Sequence, residues 1–476
     1  MTHPTVGPIL LARGATADAA RLSVLMVVER GREPPAIIPQ DGVPATPSAL
    51  SEEDWATIWR YDFDLPSAPA ATYSVDGIDY EVAADLTADL RIAFVSCNGQ
   101  EVRDLQRPRV ERNALWRDIV EEHRKDPFHL MLHGGDQLYA DEVWQAHPDL
   151  SAWQRATQAD REEAPFTPEM EEAARGFYLS RYLDVYSQPA TAAMMARVPS
   201  LMIWDDHDIV DGWGSHPRWM LDSAVAQGVF GAARRFFRLM QLGLGPDEVS
   251  PNLPDREGRS LGWRCAFPGL GILAPDLRSE RRPDRVMGEA GWRTLERSLA
   301  DLDGAETLLL LSSVPALGPR LSWVEKVIGA LPHIDKYKDD LRDQWQSRFH
   351  RREWSRFLTL MERQVSGRGR RLAILSGEIH LATRGEMKVK DGIVHQFVAS
   401  GISHPPPPRI YAACLGGLAR VGGSPVPGRP IRLKPLPGSG DIYTAQRNYL
   451  VLRRSGGEWT ARWRTEDSGW TGPLSF

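Results

Sequence analysis

Cysteine is scarce: Cys97, Cys265 and Cys414 are the only three in 476 residues. They lie far apart and form no CxxC pair, which excludes a zinc ribbon and a disulfide scaffold and fits a reducing compartment. No apolar run approaches the ~20 residues that span a bilayer, so no membrane partner is expected. Residues 1–20 lack a basic stretch followed by an apolar one and lack a twin-arginine start. A cytoplasmic location is therefore expected, or a periplasmic one if a leader has been removed. An excess of one charge is missing too: 57 Lys and Arg against 63 Asp and Glu give 57 − 63 = −6. Nothing in that balance attracts nucleic acid or anionic lipid as a whole. The basic group Arg278, Arg281, Arg282 and Arg285 is short and not interleaved with aromatics, which makes nucleic acid an unexpected partner. Neither GxSxG nor GxxxxGK[ST] occurs, which sets aside a serine hydrolase of the elbow type and a P-loop enzyme.

What is present is an ordinary globular composition, 42% apolar and 25% charged, with 16 tryptophans as its one oddity. The length predicts two or three units. Residues 1–88 alternate short apolar stretches with Pro- and Gly-containing turns and read as a small antiparallel β module. The texture changes after Leu90. Five compact apolar runs come next, at 92–95, 130–132, 201–203, 307–311 and 372–375, too short and too bulky for helices, and they read as buried strands. Between them lie three stripes at helical spacing: Leu115, Trp116, Ile119 and Val120; Trp292, Leu295, Leu299 and Leu302; and Trp354, Phe357, Leu358 and Met361. Strands alternating with helices predict a layered α/β core over 89–434. Residues 144–198 read as an inserted helical cap and 401–434, with Pro405 to Pro408 in a row, as a loop. Residues 435–476 end in a β hairpin turning at Ser455-Gly456-Gly457.

Four of the five runs terminate in groups able to bind metal or move protons. They are Ser96-Cys97-Asn98, then His133-Gly134-Gly135-Asp136-Gln137-Leu138-Tyr139, then Trp204-Asp205-Asp206-His207-Asp208, and Ser376-Gly377-Glu378-Ile379-His380. Residues at the carboxyl ends of strands in an open α/β sheet converge on one crevice. Carboxylates buried together repel and would protonate unless a cation compensates them, so Asp136, Asp205, Asp206 and Glu378 ask for metal. Thiolate and phenolate from Cys97 and Tyr139 favour an iron-like ion, and a carboxylate-rich second position suits calcium, magnesium or manganese. His380 joins Glu378 as a candidate ligand on one face of an extended segment, and Asn98 is a candidate polar group of the reaction. Each has a plainer alternative. Cys97 alone reads as a small core residue, Tyr139 as packing, one of the aspartates as a helix cap. His133 reads as support for its turn.

Together these motifs resemble the metallophosphoesterases, and within them the PhoD-like (alkaline phosphatase D) branch, over about residues 90–404. The matching elements are Ser-Cys-Asn at 96–98, Gly-Asp-Gln-Leu-Tyr at 135–139, Trp-Asp-Asp-His-Asp at 204–208 and Gly-Glu-Ile-His at 377–380. Asp276-Leu277-Arg278 and Met287-Gly288 are secondary likenesses. The resemblance implies a two-sheet sandwich flanked by helices, preceded by a small β domain. It implies Fe3+ held by Cys97, Asp136, Tyr139 and Glu378, with Asp136 bridging to a second ion near Asp205, Asp206 and Asp211. That second ion would be Ca2+, with Mn2+, Mg2+ or Zn2+ also open. His207 would be the general acid, and Arg278 either holds a phosphate oxygen or pairs with Asp276. The sequence departs from the family in carrying Glu378 where Asp is usual and Asp211-Gly212 where asparagines are common.

The expected activity is hydrolysis of a small phosphate ester, monoester or diester, by in-line attack of a metal-activated oxygen. The rival expectation is a non-catalytic scaffold whose β modules bind carbohydrate or protein.

Overall fold

The computed structural model describes residues 5–100, 104–318, 344–377, 379–420 and 423–476. All five apolar runs are strands, Leu90–Val95, Leu130–Gly134, Ser200–Ile203, Thr307–Ser312 and Arg371–Ser376. The three stripes are the helices Ala114–Lys125, Glu289–Asp301 and Arg351–Val365.

Two mixed sheets carry the fold. In the first, Leu90–Val95, Leu130–Gly134 and Ser200–Ile203 run parallel side by side. In the second, Leu270–Ala274, Thr307–Ser312, Arg371–Ser376 and Gly392–Val398 do the same. Alternate side chains decide the layers, because successive residues of a strand face opposite sides. Ile92, Phe94, Leu130 and Leu132 from the first sheet share one core with Ile272, Leu309, Leu311, Ala373 and Leu375 from the second. The intervening Ala93, Val95 and Met131 instead meet Leu115, Trp116 and Ile119 of the helix Ala114–Lys125. On the other outer face, Leu308, Leu310, Leu372 and Ile374 meet Trp292, Leu295, Trp354 and Phe357. The result is helix, sheet, sheet, helix, a two-sheet sandwich flanked by helices. Strands buried on both faces lose their polar alternation, which is why they read as unbroken apolar runs.

Both ends of the chain enter the first sheet. Val6–Ala15 pairs parallel to Ser200–Ile203, and Ala19–Glu29, Ala56–Pro66 and Pro47–Glu52 extend the sheet from it. On the opposite edge Asn448–Ser455 pairs with Leu90–Val95 and continues through Gly456 and Gly457, both left-handed, into Glu458–Thr465. Ile37–Pro39, Ala71–Val75 and Ile78–Val82 form a separate three-stranded sheet that packs on the same core through Ile37, Tyr73 and Val82.

Residues 148–195 hold four helices, among them Pro168–Tyr186, whose cap Thr167 accepts from Met170 N. The segment 401–434, read as a loop, contains the helix Arg409–Ala419 and the strand Ile431–Lys434. The run of four prolines ends at Pro408, the residue preceding the first helical turn, where a missing N–H costs nothing. Among the described residues no helix is long and apolar enough to cross a membrane.

Candidate metal centre at the strand ends

The strand-end turns interlock through their backbones. Cys97 N donates to Gly135 O at 3.1 Å, Asn98 N to Asp136 O at 2.9 Å and His404 N to Cys97 O at 3.2 Å. Two glycines allow this approach. A Cβ on Gly135, which has φ +102°, would lie 2.8 Å from Asp205 Cβ, and one on Gly377 would lie 2.3 Å from Ser96 Oγ. Cys97, Asp136 and His380 adopt φ of 52°, 54° and 51°. Non-glycine residues in the left-handed region cost on the order of 1–3 kcal/mol each, and such strain gathers at functional sites. His380 is thus bent out of the extended conformation that its spacing suggested. Glu378 lies outside the described residues.

These residues converge. Ligand atoms of Cys97, Asp136 and His380 lie within 4.8 Å of one another, as do those of Asp136, Asp205 and Asp206, and those of Asp206, His207 and Asp211. Asp136 belongs to two of the groups and joins them. Its Oδ2 is 3.4 Å from Cys97 Sγ, while its Oδ1 is buried and has no hydrogen-bond partner among the described residues. Burial and the neighbouring Asp205 charge push the Asp136 carboxyl well above the usual range, which is the electrostatic signature of a place that wants a cation. Ser400 Oγ donates to Cys97 Sγ at 3.1 Å and accepts from His380 N at 2.9 Å. The Tyr139 hydroxyl meets His380 Nε2 at 3.0 Å. Oxygen, sulfur and imidazole donors with one unsatisfied carboxylate oxygen fit a bound metal ion. Asp211 sits at the rim with its side chain 67% exposed.

Arg278 lies beneath the carboxylates and is fully buried. Its guanidinium bonds Asp205 Oδ1, reaches Asp206 Oδ1 at 3.2 Å and donates to Trp213 O at 3.2 Å. The ion pair with Asp276 does not form through the side chain. Asp276 instead accepts from the backbone N–H of Arg278, at 3.0 Å, and from Leu261 N and Trp204 Nε1. The planar fork is directed at Asp205 and Asp206.

His207 Nδ1 is 3.0 Å from Asp141 Oδ2. Burial by itself would lower the pKa of this imidazole, but the charges of Asp141 and Asp206 outweigh it and raise the pKa well above the ordinary value. Asp141, an acidic residue two positions past Tyr139, was not singled out from the sequence. Its other oxygen accepts from Asp211 N at 2.6 Å, so it ties the His207 ring to the rim. His404 was missed as well. It comes from the Pro-rich segment and stacks on His380 with ring centroids 3.7 Å apart and on Tyr139 at 5.3 Å. Tyr139 in turn stacks on His207 at 4.2 Å, giving a wall of four rings.

Asn98 is buried, its Oδ1 accepting from Trp116 Nε1 at 2.7 Å and Ser403 Oγ at 3.2 Å. His133 is buried between Gln137 and Ser200, and burial lowers its pKa to about 4. It supports its turn. Asp208, the last residue of its motif, belongs to none of the three candidate ligand groups and accepts backbone N–H groups of both neighbouring turns.

The model of the family described as PhoD related phosphatase matches residues 68–336, more than half of the chain. An uncharacterized protein of Saccharomyces cerevisiae is 27% identical over an alignment covering 78% of this chain, and the chain spans 66% of that protein's length. The solved structure of PhoD superposes with a TM-score of 0.58 at 13% identity, covering 98% of this chain and 88% of that one. A purple acid phosphatase from yellow lupin (Lupinus luteus) seeds superposes with a TM-score of 0.53 at 11% identity, covering 99% and 74%. Both likenesses concern the fold.

Proposed function

This chain belongs to the PhoD-related phosphatase family, whose chemistry is phosphoester hydrolysis, and from that premise we propose that it is a metal-dependent hydrolase of small phosphate esters. The observation that carries the reading is the position of Asp136. One carboxylate, with an oxygen unsatisfied among the described residues, stands between a Cys97–His380 group and an Asp205–Asp206 group. Cys97, Asp136, Tyr139 and His380 would hold one ion, for which sulfur and phenol donors favour iron. Asp136, Asp205, Asp206 and Asp211 would hold a second, for which an all-oxygen set favours calcium, manganese or magnesium. Bound there, the ions supply Lewis-acid polarisation of a phosphoryl oxygen and a water of lowered pKa.

The chain's own residues do the rest. Asp141 orients His207 through Nδ1 and keeps the ring protonated, so that Nε2–H is held as a proton for the departing alkoxide. Arg278 neutralises part of the Asp205 and Asp206 charge from below, which offsets the cost of burying two carboxylates together. The stacked rings of Tyr139, His207, His380 and His404 form one wall beside the candidate ligands.

The test is hydrolysis of a panel of phosphate monoesters and diesters by the full chain, metal-loaded and then chelator-treated. Turnover lost to chelator and restored by metal supports the reading. Turnover indifferent to chelator, or no turnover with any ester in the metal-loaded protein, removes it and leaves the scaffold alternative.

A further inference from the structure

Asp208 is the buried acceptor at which the two ligand-bearing turns meet. Its Oδ2 accepts from Asp136 N at 2.9 Å and Asp205 N at 2.8 Å, and its Oδ1 from Leu138 N at 3.1 Å and Gln241 Nε2 at 3.0 Å. Among the described residues no cation pairs with it, so this carboxylate is held by four neutral N–H donors. Three of those donors are backbone groups of the segments 136–138 and 205–208, which carry Asp136, Asp205, Asp206 and His207. Moving Asp208 therefore moves one turn against the other.

The fourth donor links this junction to the helical insertion. Gln241 closes a π-helical turn, Phe237–Gln241, and is 2% exposed. Leu242 N bonds Phe237 O at 3.1 Å, five residues back. A π turn inserts one residue and so rotates the side chains beyond it by roughly 100° relative to a continuous α-helix. Here it delivers the Gln241 amide both to Asp208 and to the Tyr182 hydroxyl, the latter at 3.0 Å. Tyr182 lies on the insertion helix Pro168–Tyr186, which also donates from Tyr178 to Ile209 O at 2.5 Å.

We infer that Asp208, held in turn by Gln241 and Tyr182, is a positioning residue that sets the spacing between the Asp136 turn and the Asp205–Asp206 turn, and so the spacing of the two candidate metal positions. It rests on the metal-dependent reading above. An asparagine at 208 keeps one acceptor oxygen and presents an NH2 group to N–H donors on the other side, so two of the four bonds turn repulsive while side-chain volume is conserved.

Mn2+ titration of the chelator-stripped full chain, monitored by calorimetry and by electron paramagnetic resonance, tests this. Two Mn2+ held ~4 Å apart, as in two-metal hydrolases, give an exchange-coupled spectrum. Asp208→Asn is expected to bind its second Mn2+ at least ~10-fold more weakly, the usual effect of removing an outer partner of a metal site. Its spectrum should be that of isolated ions, with kcat falling and KM little changed. Gln241→Met, which removes a single donor, should move the same readouts the same way by less while keeping the wild-type circular dichroism. It decides the matter if Asp208→Asn does not fold. Wild-type affinity and a coupled spectrum in both variants overturn the inference. A wild-type protein that binds no Mn2+ overturns the metal-dependent reading itself.

Discussion

Replacing Arg278 by methionine separates a structural counter-charge from a substrate-binding arginine. The guanidinium is 0% exposed and its partners Asp205 and Asp206 are 1% and 12% exposed, so neither carboxylate can be solvated in its place. Methionine keeps much of the volume and removes the charge and the hydrogen bonds to Asp205, Asp206 and Trp213. Removing one partner of a buried ion pair costs about 3–5 kcal/mol, because the remaining charge stays buried and uncompensated. The chelator-stripped variant should therefore lose about that much stability in urea titration relative to the stripped wild type. Divalent ions bring compensating charge to the same carboxylates, so the gap between variant and wild type should narrow when both are saturated with Mn2+. A phosphate-binding arginine predicts a different pattern: stability nearly unchanged and KM raised with little effect on metal binding. Finding that pattern, or a gap that is unchanged by Mn2+, would refute the assignment of Arg278 as counter-charge.

The same geometry makes three further outcomes testable. His207→Gln should lower kcat by roughly 10²–10⁴-fold toward esters of poorly acidic alcohols and much less toward nitrophenyl esters, whose leaving group needs no proton; equal losses on both would argue against general-acid work at His207. Asp141→Asn removes the charge that raises the His207 pKa, so the alkaline limb of the rate profile, where the proton on His207 is lost, should move to lower pH; a limb that stays in place contradicts the dyad. Burial holds His133 neutral down to about pH 4, against 6.5 for an exposed imidazole, so the unfolded chain takes up this proton first as pH falls. Stability should then decline from pH 6.5 toward 4, by up to about 3 kcal/mol from this group, and denaturant titration of His133→Gln should show a shallower decline than wild type over that window.

The layers of the fold were legible because strands buried on two faces must be apolar throughout, and residues 92–95, 130–132, 201–203, 307–311 and 372–375 have little else to become. The carboxyl ends of those runs were legible for a related reason. A sequence such as Trp204-Asp205-Asp206-His207-Asp208 directly after a buried strand is costly unless something compensates it. The partners of those residues were much less so. From the sequence Arg278 reads either as a phosphate ligand or as the partner of its neighbour Asp276, whereas its guanidinium crosses to Asp205 and Asp206, which follow a strand of the other sheet. His404 directly precedes a run of four prolines in a segment that suggested a loop, and the pairing of Arg371–Ser376 with Gly392–Val398 swings that segment back over Cys97. Asp141 looks like any polar residue of a turn, and nothing local separates Asp208 from the aspartates beside it. Their roles depend on hydrogen bonds to segments some 70 residues away, for which no local pattern exists.

The most direct test is elemental analysis of the full chain equilibrated with Mn2+, beside Asp136→Asn treated the same way. If the strand-end donors share their charge with cations, wild type should carry close to two ions per chain and the variant should lose both, since Asp136 belongs to the Cys97–His380 group and to the Asp205–Asp206 group. Wild-type protein that carries none, or a variant that keeps its full complement, would contradict the account.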